Sequence, residues 1–107
     1  MADEYSLVYM TAGSKEEAEA VADALVEESL AACVNIIDGM MSVYRWQGEL
    51  HHDEEVVLIA KTTERCLEAL TDRVKVLHSY DCPCIVAVHL EGRNPAFFEW
   101  ISRQINF

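Results

Sequence analysis

The residues of this 107-residue chain from which chemistry could be built are four cysteines, four histidines and nineteen carboxylates. Their densest grouping is Cys82-Pro83-Cys84, preceded closely by His78, Tyr80 and Asp81. In an extended stretch the two sulfurs point to the same side, with Cα atoms roughly 6.5–7 Å apart. A disulfide across that span is strained, whereas two thiolates on one soft metal ion are easier to place. The second ligand pair that a four-cysteine zinc site needs is missing. The other reading is two small buried side chains, since free cysteine packs well in cores. His78 offers either a third soft-metal ligand or an imidazole interacting with the dipole of a helix C-terminus.

Elsewhere, His51-His52-Asp53-Glu54-Glu55 supplies metal-ligand residue types in a row. Strand alternation splits them between two faces, so they read as a solvated, charged hairpin arm. Catalytic patterns are poor. There is no Gly-rich phosphate loop, no G-x-S-x-G elbow and no H-E-x-x-H. Cys84 with His78 could form a nucleophile pair, yet nothing visible orients the histidine or builds an oxyanion hole. Binding is expected, not catalysis.

Elements must position these residues. Residues 4–12 are rich in aromatic and β-branched side chains and predict a first strand, ended by Gly13-Ser14. Ser14 and Glu17 have capping-box spacing, so a helix begins there. Its Ala18, Val21, Ala22, Leu25 and Ser29 share one face, and Glu16, Glu19, Asp23 and Glu27 the other. Residues 33–38 and 41–46 predict strand, a turn follows at Gln47-Gly48-Glu49, and residues 55–61 return, making a long hairpin with a polar tip. Thr63 is placed to cap a second helix carrying Leu67, Leu70, Val74 and Leu77. Pro83 opens a fourth strand, 84–90, and Asn94-Pro95 opens a last helix with Phe97, Phe98, Trp100 and Ile101.

The order β-α-β-β-α-β plus a closing helix is an α+β, ferredoxin-like split βαβ pattern within one domain, residues 1–107. Right-handed crossovers put both long helices on one sheet face. The other face is then bare, although residues 56–60 and 85–88 are apolar at both parities, the mark of strands buried on both sides. The last helix or a neighbouring subunit must cover it, and oligomerisation is the expectation.

Charge narrows the partners. The formal net charge is −11, and all of it sits in residues 1–55, which hold 13 acids and 2 bases; residues 56–107 hold 6 of each. That balance excludes the basic stripe of a nucleic-acid binder and disfavours anionic membranes. The start, Met-Ala-Asp-Glu-Tyr, lacks a basic region followed by an apolar core, and no apolar run is long enough to cross a bilayer. Free thiols in the cytoplasm are therefore expected.

Several stretches resemble the CutA family of divalent-cation tolerance proteins: Leu30 to Ile36, Ser42-Val-Tyr-Arg-Trp-Gln-Gly48, Glu55 through Thr63, His78-Ser-Tyr80 with Pro83 and Ile85, and Phe98-Glu-Trp-Ile101. Their order covers the chain from about Val8 to Ile101. The resemblance implies a tight homotrimer, similar in architecture to the PII signalling proteins, with sheets towards the centre and the hairpin reaching a neighbour. It also implies metal ligands at Met10, His78 and Cys84, with Cys82 beside them. Ser79 stands where the family has proline, and Cys84 where it has glutamate. A Met/His/Cys set favours copper as Cu(I). The alternative is a PII-like signalling or interaction module that binds a small ligand or protein without metal.

Overall fold

The computed structural model describes residues 3–105. Met1 and Ala2, which enter the export argument above, lie outside the described residues. The first strand, β1 (Tyr5–Ala12), leads into α1 (Lys15–Glu27), which starts where its capping residue says it should. Ser14 accepts from the backbone N–H of Glu17 at 3.2 Å. Glu17 does not complete a capping box among the described hydrogen bonds; its carboxylate accepts from the Ser79 backbone N–H at 3.1 Å. One half of the motif caps the helix, and the other half ties it to a distant loop.

The hairpin is longer than the residue pattern predicts. It consists of β2 (Cys33–Trp46) and β3 (Glu49–Thr63), paired antiparallel. An irregularity between Ile37 and Met40 sets Asp38 and Gly39 against the single residue Val56, with Gly39 at φ 78°, so pairing resumes beyond it instead of ending there. Gln47 and Gly48 form the tip with φ of 50° and 82°. Two positive φ values in a two-residue loop match the right-handed twist of the flanking strands. The arm helps draw the molecule out to 47 × 25 × 22 Å.

Two expectations are corrected beyond the hairpin. Thr63 does not cap the second helix: a 3-10 turn, Glu64–Cys66, intervenes, and α2 runs Leu67–Leu77. The Thr63 hydroxyl is buried and makes no hydrogen bond among the described residues. Strand β4 begins at Ile85, so Cys84 lies in the loop before it. Helix α3 (Pro95–Gln104) opens on proline as expected, but Asn94 contributes its carbonyl, which accepts from Phe97 N and Phe98 N, and no side-chain cap.

All pairings are antiparallel in the order β2-β3-β1-β4, the arrangement of a ferredoxin-like α+β fold. Alternate residues divide the sheet. Val8, Met10 and Ala12 of β1, with Val56, Leu58 and Ala60 of β3, meet Ala18, Val21 and Leu25 of α1 and Leu70 and Val74 of α2 in one core. On the other face lie Leu7, Tyr9 and Ile59, with Val86 and Val88 each 51% exposed. Helix α3 covers one end of it: the Tyr5 ring meets Phe98 edge-on at 4.9 Å, and its hydroxyl lies 2.6 Å from Ser102 Oγ. The rest of that face stays open in the single chain.

Candidate functional site

A cleft of about 500 Å³ opens where the arm meets the loop between α2 and β4. Thr11 enters it from β1, Tyr44 and Trp46 from β2, Glu55 from β3, and residues 79–82 with Cys84 from the loop. Strand alternation explains the arm's share, since Tyr44 and Trp46 are two apart and face the same way. One hydrogen bond joins two of the lining residues: Tyr80 Oη donates to Glu55 Oε2 at 3.0 Å. Burial first, and then that bond, pushes the Tyr80 hydroxyl up to about 12. Its neighbour Tyr44 donates to Asp53 and stacks on His51, with ring centroids 5.4 Å apart. The Tyr44 hydroxyl is raised chiefly by the Asp53 bond.

The loop is held by His78. Its side chain is 2% exposed. Nε2 lies 2.7 Å from the Thr11 carbonyl, and Nδ1 accepts from the Tyr80 backbone N–H at 3.1 Å. Since a carbonyl can only accept, the proton sits on Nε2. Both ring nitrogens are therefore engaged. The imidazole fastens the loop to the end of β1, and a metal could reach it only by breaking one of these bonds.

The four sequence-derived metal ligands are not brought together. Met10 is 1% exposed, within the core between sheet and helices, whereas its neighbour Thr11 lines the cleft. Cys82 and Cys84 do share the cleft, Cys82 exposed and Cys84 half-buried. Burial, followed by the Glu55 charge, raises the Cys84 thiol above its ordinary value. Cys33 lies on the sheet 4.0 Å from Lys61 Nζ, and Cys66 is buried with its sulfur on the Leu30 carbonyl.

The chain as a whole has counterparts among known proteins. A family model described as CutA1 divalent ion tolerance protein matches residues 6–104. The chain belongs to the CutA1 family. It is similar to "Divalent-cation tolerance protein CutA" of Thermus thermophilus, 47% identical over 95 residues that cover 89% of this chain and 92% of that protein. It is also similar to "Protein CutA 1, chloroplastic" of Oryza sativa, 44% identical over 96 residues, 90% of this chain and 54% of that protein. The crystal structure of CutA1 from Oryza sativa superposes with a TM-score of 0.95 at 40% identity, covering 97% of this chain and 95% of that one. The chain thus spans nearly all of the bacterial relative and about half of the plant one.

Within this CutA1 fold, residue-by-residue reasoning missed Thr11, Tyr44, Trp46, Glu55 and Tyr80 as parts of one cleft. The pairing of aromatic residues two apart in the arm was the available signal. The structure also forms a group that the sequence does not suggest. Glu4, Glu64 and His89 are exposed, with ligand atoms all within 4.8 Å of one another. His89 Nδ1 lies 2.8 Å from Glu64 Oε1, and that bond is the main reason its imidazole is raised above the ordinary value. As it stands, the group is a surface ion pair beside a second carboxylate.

Proposed function

We propose that this CutA1 protein acts as a homotrimer in metal tolerance and takes a soft metal ion, as Cu(I), on the thiols of Cys82 and Cys84. The observation that carries the reading is that both sulfur-bearing residues line one open cleft, in the loop ahead of β4. Thiolate ligands favour Cu(I), which accepts low coordination. Glu55 and Asp81 at the same cleft attract cations to its mouth. Binding displaces the thiol protons, so the raised Cys84 makes affinity climb with pH. His78 serves as the post that holds the loop, and Met10 as core.

The assembly is supported by the open sheet face, where Val86 and Val88 stand beside Leu7 and Tyr9, and by edge strands β2 and β4. Exposed apolar surface of this kind marks an interface, and edge strands invite pairing. A reducing compartment, the cytoplasm, would keep the thiols free. Titration of the reduced protein with Cu(I) against a competing chelator, with the mass measured by light scattering, tests both parts. The expected result is saturable binding by a trimer, lost in a Cys82→Ser/Cys84→Ser double variant. Equal binding by that variant refutes the site, and a monomeric mass refutes the assembly.

A further inference from the structure

The group formed by Glu4, Glu64 and His89 is only half explained by its ion pair. Glu4 stands just before β1, Glu64 opens the 3-10 turn after β3, and His89 lies in β4. The sheet register brings them together. The Glu64 N–H donates to the Glu4 carbonyl at 2.8 Å, extending the β1–β3 ladder one step past the Tyr5–Thr63 pair. His89 pairs with Ser6. Ser6 and Thr62 are buried on the helix side of the sheet, and with a period of two Glu4 and Glu64 point the same way. The group therefore lies on the face that the helices cover, at the end of the sheet away from the arm. It shares nothing with the open face of Val86 and Val88.

That register sets Glu4 directly opposite Glu64, and like charges so placed destabilise a strand pair. The adjoining arginines do not relieve it, since Arg65 pairs with Asp3 at 2.7 Å and Arg93 with Glu91 at 3.0 Å. His89 Nδ1 meets Glu64 Oε1 at 2.8 Å, whereas Glu4 makes no ion pair among the described residues. Two carboxylates and an imidazole form a borderline donor set, suited to Zn²⁺ and its first-row neighbours and not to Cu(I). Metal–ligand distances of about 2.0–2.2 Å place ligand atoms roughly 3–4 Å apart. The three ligand atoms here already lie within 4.8 Å of one another. Three protein ligands leave the fourth position to water.

We propose that Glu4, Glu64 and His89 hold a divalent ion of the Zn²⁺ class, in a site separate from the thiols of Cys82 and Cys84. The ion takes the place of the proton between His89 and Glu64 and neutralises the opposed carboxylates. Zn²⁺ is titrated by calorimetry into the whole Cys82→Ser/Cys84→Ser protein at its measured oligomeric mass, so that thiols contribute nothing. Mg²⁺ serves as a divalent charge with little preference for imidazole.

One saturable site per protomer is expected, with Mg²⁺ failing to compete at equal concentration. Glu64→Gln and His89→Gln should each weaken it by more than about tenfold, a loss that even outer-shell changes can reach. All three positions are exposed, so neither change threatens the fold. His51→Gln/His52→Gln, in the arm, should leave Zn²⁺ binding intact. Glu4→Gln carries the sharpest test, because it removes both the repulsion and a ligand. It should raise the denaturation midpoint of the metal-free protein while weakening Zn²⁺, a combination that a plain surface ion pair does not give. Mg²⁺ displacing Zn²⁺, or Glu64→Gln binding as tightly as the parent, would show diffuse acidic attraction and overturn the proposal. An absence of saturable binding, as when a neighbouring subunit covers the group, overturns it as well.

Discussion

Met10 separates two accounts of this protein, because the family pattern makes it a ligand and the fold makes it core. It sits mid-sheet, opposite Leu58 of β3 and Ile85 of β4, and only 1% of its surface reaches solvent. Met10→Leu keeps the volume and removes the sulfur, so it should cost less than about 1.5 kcal/mol. Met10→Ala leaves a void that paired strands on both sides cannot close, which places it at about 3–4 kcal/mol within the range for large-to-small core changes. Neither should change Cu(I) affinity in the folded protein. Denaturant midpoints and slopes at one fixed protomer concentration give the stabilities, since an oligomer's stability depends on concentration. Chelator competition gives the affinity. A Met10→Leu variant of near-parental stability whose Cu(I) affinity drops by about tenfold, the effect expected of losing a metal-supporting contact, would refute the core assignment.

Three further outcomes follow from the same geometry. His78→Ala strands the Thr11 carbonyl and the Tyr80 N–H, so chemical denaturation should show a loss of about 1–3 kcal/mol. Gly13→Ala places a Cβ 3.1 Å from Tyr80 Oη, so the ring must shift; weakening of the Tyr80–Glu55 bond should appear as a lower Tyr80 ionisation in tyrosinate absorbance. In the parent, Tyr80 ionises near 12 when folded against about 10 unfolded. The folded state therefore holds the proton more tightly, and its contribution is full below pH 10 and lost as pH rises through 12, read from denaturation midpoints along that range.

How much could be read in advance depended on whether the signal was local. Helix α1 was legible because Ala18, Val21, Ala22 and Leu25 repeat at helical spacing, and those four are the buried ones. The fold class followed from element order, and the packing of both long helices on one sheet face from handedness. The hairpin read as broken because Asp38-Gly39 looks like a turn, while the pairing on either side of it is stable enough to carry the irregularity. Thr63 failed as a cap because the chain spends a 3-10 turn, Glu64–Cys66, between it and α2, and its hydroxyl makes no cap hydrogen bond. The cleft was the least legible feature. Thr11, Glu55 and Tyr80 are each at least 25 residues apart in sequence and meet only through β1–β3 pairing and the His78 bridge.

The same register decides which residues remain available for chemistry. Ile85 pairs with Met10, and both lie towards the helices; one residue on, Thr11 in β1 and Cys84 in the loop before β4 line the cleft. With a period of two, transferring a ligand from one residue to its neighbour exchanges core for cleft. Pro83 reinforces the choice. Lacking an N–H, it cannot extend the ladder of β4, and the strand starts two residues later. Had β4 begun at Cys82, both thiols would lie in the sheet under whatever covers its open face. Because it begins at Ile85, they stand beside Glu55 and the arm's aromatic residues, where an approaching cation meets them first.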